Sequence, residues 1–251
     1  FLYVDPTWQP FAEAAGCSTW LNQQSLWSNP GYENFSNYLT SFNANQRRNI
    51  KRERKAVQEA GLIVTPISGE SITLPLLGKM HHFYEDHCRR WGMWGSKYLT
   101  EDFFILAAQQ LVENLVLFSA HPNGEDPQNP LAMSLCVQQG NKLWGRYWGS
   151  ELELENLHFE VCYYAPIEWA IGAGISYFDP GAGGSHKRRR GFIAKSHASL
   201  HRWYEPEFGA IIDRWLPLAN AHQLEEIEAI NAELPFNRQN DLESLGISGS
   251  F

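Results

Sequence analysis

The stretch Leu157-His158-Phe159-Glu160-Val161-Cys162-Tyr163-Tyr164 puts an imidazole, a carboxylate, a thiol and two phenols within about two helical turns. Leu157, Val161, Tyr164, Glu168 and Ile171 recur by threes and fours, which predicts a helix over 156–173, kinked or restarted at Pro166. On that helix Glu160 and Tyr164 share one face and His158 and Cys162 another, each pair at i, i+4. Two readings are open. The side chains form an acid–base set that takes a proton from an attacking amine and returns one to a leaving group, or the tyrosines are core aromatics with satisfied hydroxyls and Glu160 pairs with an arginine.

Working outward, three β-like runs precede this helix, at 115–119, 131–137 and 143–148. The second alternates, with Leu131, Met133, Leu135 and Val137 on one face, and Gly140-Asn141 supplies a hairpin turn into the third. The third presents Trp144, Arg146 and Trp148 on one face, suited to a ligand wall or to a sheet under helices. Further upstream, 62–67 reads as a strand, and 76–91 and 100–114 read as helices. Downstream, 177–179 and 199–203 are short strands, and 206–234 is helical, interrupted at Pro217, with Leu224, Ile227, Ile230 and Leu234 as its buried stripe. Residues 1–42 show no sustained period and read as loops and short helices. Strands and helices alternate around an antiparallel hairpin, so the expected class is α+β, a mixed α/β sheet flanked by helices.

The net charge of −8 conceals a polarity. Arg47, Arg48, Lys51, Arg52, Arg54 and Lys55 against Glu53 give +5, and Lys187 to Arg190 gives +4, leaving ten basic residues against 27 acidic ones, or −17, elsewhere. Asn43 or Asn45 caps a helix that ends at Gly61, and its six cations fall within about 160° of arc, with Ile50 and Val57 outside it. In the second island, Gly181, Gly183 and Gly184 precede His186, Lys187, Arg188, Arg189 and Arg190: either a phosphate or carboxylate site built of backbone N–H groups and charge, or a solvated basic turn. Phe178 and Phe192 bracket the loop, which favours a loop held down. The spacing fits neither a P-loop nor a dinucleotide fingerprint.

The four cysteines form no CxxC pair, which suits a reducing cytosol. His81, His82 and His87 beside Glu85, Asp86 and Cys88 offer metal-ligand types without an HExxH pattern, and no metal is expected. No apolar run reaches membrane-spanning length and no leader is visible, so a cytoplasmic location is expected. The chain starts at Phe1, from which a fragment is expected.

Three stretches together carry a resemblance: 36–55, Leu157 to Tyr164 with Pro166-Ile167-Glu168, and Asp179 to Phe192. They resemble the Fem-like peptidoglycan biosynthesis/recognition family, over about Ser36 to Phe208. The resemblance implies a GNAT-like acyl-CoA N-acyltransferase fold, with 62–205 as the acyltransferase domain. Residues 1–61 would be the end of a first copy plus a basic linking helix, and 206–251 a C-terminal helix and frayed tail. It also implies acyl or aminoacyl transfer to an amine, with acyl-CoA or aminoacyl-tRNA as donor and no tightly bound cofactor. The acceptor would be a nucleotide-linked peptidoglycan precursor; a binding module on the same fold and a small-amine acetyltransferase are the alternatives. Glu160 is the expected base, Tyr163 or Tyr164 the acid, with His158 beside them; Arg146, Asp179, Gly181, Gly183, Gly184, His186, Lys187, Arg188 and Arg190, with Arg47, Arg48 and Lys51, are the expected anion contacts. The segment matching the pyrophosphate loop of ordinary acetyltransferases, 149–156, carries Glu151, Glu153 and Glu155, whose charge would repel a pyrophosphate; the basic islands are then the better anion sites.

Overall fold

The structure is a computed structural model and describes residues 1–2, 4–95, 97–181 and 185–237. Its first elements are α1 (Gln9–Ala14), β1 (Ser18–Ser28), α2 (Phe35–Thr40), α3 (Ala44–Glu59), β2 (Leu62–Ser68), α4 (Leu74–Arg90) and α5 (Glu101–Gln110). There follow β3 (Leu115–Pro122), β4 (Ala132–Gln139), β5 (Lys142–Ser150), α6 (Leu157–Phe159), α7 (Ala165–Gly172), β6 (Tyr177–Asp179), β7 (Ile193–His201) and α8 (Pro206–Ala232). The chain divides into two compact units, Phe1–Leu26 with Ala182–Pro235, and Trp27–Gly181 with Phe236–Phe251. The sequence reading places boundaries at 61/62 and 205/206 instead.

In the larger unit β2, β3, β4 and β5 pair antiparallel in that order, and β4 turns into β5 through Gly140-Asn141 with Gln139 opposite Lys142, as expected. Successive strand side chains point to opposite faces, and both faces are covered. Leu117, Met133 and Leu135 join Leu76, Met80, Phe83 and Phe104 of α4 and α5 in one core. Phe118 meets Trp169 of α7 edge-on across the other face. On β4 the face opposite Met133 and Leu135 is covered as well, since Ala132, Ser134 and Cys136 are buried. At Gly149 α4 packs directly against β5: a Cβ there would lie 2.5 Å from the Phe83 carbonyl oxygen.

The last strand of this unit opens the sheet. β6 runs parallel to β5 but pairs only Tyr177–Asp179 with Lys142, Leu143 and Trp144. Among the described residues, 145–150 of β5 therefore pair with no strand on that side. The β4–β5 register also shifts: Leu135 faces Tyr147 while Cys136 faces Gly145, so Arg146 is the extra residue of a bulge. The expected single face of Trp144, Arg146 and Trp148 is broken there, and Arg146 turns out to solvent.

In the smaller unit β1 pairs antiparallel with β7, from Ser18 opposite His201 to Leu26 opposite Ile193. β1 corrects the expectation of loops: its Asn22-Gln23-Gln24 centre hides any period, and most of its side chains are half-buried rather than alternately in and out. α8 is a second correction. It runs unbroken through Pro217, and only Gly209, Leu216 and Ile227 are buried, while Leu224 is exposed. Two amides tie it to the strands: Asn220 accepts from Leu21 N and donates to Thr19 O, and Asn231 accepts from Ala194 N and donates to Ala194 O, all at 2.8–2.9 Å. Polar anchoring of this kind leaves no apolar stripe to read.

Candidate functional site

The helix expected over 156–173 is three pieces, α6, a π-turn over Glu160–Tyr164, and α7. Pro166 explains the π-turn. It has no N–H, and its ring would crowd the Cys162 carbonyl in a regular helix. The Ala165 N–H instead bonds back five residues to the Glu160 carbonyl. The Val161 carbonyl is thereby left without a helical donor, since Ala165 is taken and Pro166 has none. Ser134 of β4, itself buried, donates its hydroxyl to that carbonyl at 2.8 Å.

Across the wider turn an i, i+5 pair forms that regular helical spacing does not predict: His158 Nε2 lies 3.1 Å from the Tyr163 hydroxyl. The Trp148 ring meets His158 edge-on, centroids 4.4 Å apart, and Trp148 belongs to the part of β5 that β6 leaves unpaired. His87 lies 5.7 Å from Trp148, and burial, aided by Arg90, holds its imidazole below the ordinary 6.5. Tyr163 is buried, stacked on Phe159.

Glu160 and Tyr164 go elsewhere. α3, capped by Asn43 on Gln46 N at 2.9 Å, buries Gln46, Ile50 and Val57, and the same side delivers Glu53 and Arg54. Arg54 forks onto Glu160 (Nε to Oε2 3.0 Å, Nη2 to Oε1 2.8 Å), reaches Glu168 at 2.7 Å, and lies 4.3 Å over the Phe35 ring. The Tyr164 hydroxyl donates to Glu53. Burial pushes the Glu160 carboxyl up, Arg54 pulls it back and Glu168 pushes it up again; burial opposes the Arg54 charge, and the two carboxylates outweigh it and raise its pKa. The alternative that Glu160 pairs with an arginine thus describes the molecule, and Arg54 leaves the expected six-cation surface. Arg47 donates to the Phe42 carbonyl at 3.1 Å, and Arg48, Lys51, Arg52 and Lys55 are exposed at i, i+3, i+4 and i+7.

The second island is not a solvated turn. Asp179 is buried and accepts from Gly181 N at 2.8 Å in the larger unit, while Gly183 and Gly184 lie outside the described residues. Ser185–Arg190 forms a 3₁₀ turn in the smaller unit with Lys187 and Arg190 buried. Arg190 donates to the His186 carbonyl at 2.8 Å, and Arg188 pairs with Glu233 at 2.5 Å. Burial, then Arg190 and Lys187, lower the His186 pKa. On α4 His82 pairs with Asp86 at 3.1 Å, and no three His, Cys, Asp or Glu gather as a metal set among the described residues. Sequence reasoning missed Arg54 and Ser134 as partners of the π-turn; Pro166 was the available signal.

The fold recurs in solved structures. L-PGS from Bacillus licheniformis superposes with a TM-score of 0.59 at 8% identity, covering 86% of this chain and 72% of that one. The C-terminal domain of a protein assigned as a lysylphosphatidylglycerol synthetase, from Agrobacterium fabrum, gives 0.59 at 10% identity, covering 85% and 70%. FemX gives 0.52 at 12% identity, covering 75% of this chain and 63% of that one. At these identities the likeness establishes the fold, a GNAT-like mixed sheet flanked by helices. No curated protein matches in sequence. Among the described residues no helix is long and apolar enough to cross a membrane. The model of the FemAB-like family, described as peptidoglycan biosynthesis/recognition, matches residues 1–238, and the chain belongs to that family.

Proposed function

We propose that the protein transfers an acyl or aminoacyl group to an amine, with Tyr163 and His158 as its acid–base pair. The observation that carries this reading is the 3.1 Å contact between the Tyr163 hydroxyl and His158 Nε2, beside Trp148 on the open part of β5. With Nε2 as acceptor, the phenol passes its proton to the imidazole while its oxygen takes a proton from the attacking amine; reversing the relay protonates the leaving oxygen or sulfur. Glu160 and Tyr164 are poorer candidates, because Arg54 and Glu53 already hold their acid–base atoms.

The acyl donor is a polyanionic carrier, acyl-CoA or aminoacyl-tRNA. Glu153 and Glu155 are exposed at the turn after β5, and Glu151 pairs with Lys79 at 2.6 Å, so that turn repels a pyrophosphate. The exposed stripe of Arg48, Lys51, Arg52 and Lys55 is the better surface for a phosphate backbone, which favours aminoacyl-tRNA. The family's subject points to a peptidoglycan precursor as the amine, nucleotide-linked and met in the cytoplasm.

The test supplies labelled aminoacyl-tRNA or acyl-CoA together with a nucleotide-linked muropeptide. Labelled muropeptide forms from aminoacyl-tRNA, and His158→Gln lowers its rate by about 10²-fold. No product from either donor, or a His158→Gln rate equal to wild type, overturns the reading.

A further inference from the structure

We infer that Glu53, Arg54 and Ser134 are positioning residues that hold the π-turn in the register pairing His158 with Tyr163. The inference rests on the proposed acid–base pair and deepens it. Register decides the pair: His158 and Tyr163 are five residues apart, and a regular helix would bring His158 over Cys162 instead.

Three side chains from outside the turn grip it at three points. Arg54 forks onto Glu160, its first residue; Glu53 accepts from Tyr164, its last; and Ser134 donates to the Val161 carbonyl between them. Glu53 and Arg54 are adjacent on α3, so one rigid helix spans the turn from end to end. The Ser134 bond has a specific consequence. It satisfies the carbonyl that the π register orphans, and in a regular helix the same carbonyl would take Ala165 N–H and leave the hydroxyl competing with it. Their grips fall on Glu160, the Val161 carbonyl and Tyr164, so they act on the pair through the turn that carries both of its members.

The experiment reads the ¹⁵N shift of His158 Nε2 in labelled protein, assigned by its loss in His158→Gln, alongside kcat and KM for transfer. Tyr163→Phe removes the partner oxygen and sets the full displacement of the Nε2 signal. Tyr164→Phe, Arg54→Lys and Ser134→Ala, each showing a cooperative thermal melt, are expected to move Nε2 in the same direction. They should also lower kcat about tenfold while KM stays within about twofold. Gln58→Ala, on the exposed side of α3, leaves both unchanged. Folded variants with an unmoved Nε2 signal, while Tyr163→Phe moves it, overturn the inference and leave the acid–base pair standing. An unmoved signal in Tyr163→Phe refutes the pair itself, and the inference with it. Should Arg54→Lys or Ser134→Ala fail to fold, Tyr164→Phe decides alone, since it deletes a single oxygen.

Discussion

The two basic islands are alike in composition and opposite in fate. On α3 the helix period separates the cations: Arg54 turns inward to Glu160 and Glu168, while Arg48, Lys51, Arg52 and Lys55 line the solvent face. At Ser185–Arg190 the turn is 3₁₀, where residues three apart eclipse, so Lys187 and Arg190 fall on one side and are buried together. Local geometry, more than charge count, decides whether a basic run is a surface or part of the core. A buried cation costs desolvation and must be compensated by fixed partners, whereas a solvated one stays available to a ligand.

The largest expected effect breaks the buried island. Arg190→Ala removes a fully buried side chain and its bond to the His186 carbonyl, and should destabilise by about 3 kcal/mol in urea denaturation. A loss under ~0.5 kcal/mol would equate the islands. Arg54→Met comes next: it strips a mostly buried charge from Glu160, and about 2–3 kcal/mol should be lost. Arg52→Met, two residues away and exposed, should stay within about 0.5 kcal/mol.

A pH effect follows from His186. Its folded pKa is depressed below the ordinary 6.5, first by burial and then by Arg190 and Lys187. The unfolded chain thus binds the proton more readily, so this contribution is fully present above about pH 6.5 and is lost as pH falls through the folded value. In urea titrations between pH 7.5 and 5, His186→Gln should flatten the decline; an identical slope would remove His186 from the explanation. The smallest stability effect carries the clearest binding signature. Replacing Arg48, Lys51 and Arg52 with Gln should leave the melt nearly unchanged, while the log–log salt slope for tRNA binding drops by about 2. An unchanged slope would show that this stripe does not carry the phosphate contacts.

Much of the scaffold was legible. Asn43 and Gly61 delimit α3, Gly140-Asn141 closes the β4–β5 hairpin, and the strand at β2 and the helix at α4 fall where periodicity puts them. What escaped depends on partners distant in sequence. The π-turn needs Ser134, 27 residues upstream of Val161, to take its orphaned carbonyl, and Arg54 reaches Glu160 across 106 residues. β1 is half-buried along its length, and α8 is tied down by Asn220 and Asn231 rather than by an apolar face. The Arg146 bulge is a register shift between strands, invisible in either strand alone. Within the candidate site the pairing was not readable: helical spacing predicted Glu160 with Tyr164 and His158 with Cys162, and the π-turn joins His158 to Tyr163.

That change of partners is tested most directly by single-turnover aminoacyl transfer to a muropeptide, comparing Tyr163→Phe with Glu160→Gln. The pair held by the π-turn predicts that Tyr163→Phe slows the chemical step by about 10²-fold. Glu160→Gln, which keeps the side chain's shape and loses only its charge, should slow the step about tenfold or less. A Glu160→Gln loss larger than that of Tyr163→Phe would contradict the pairing and return the chemistry to the carboxylate.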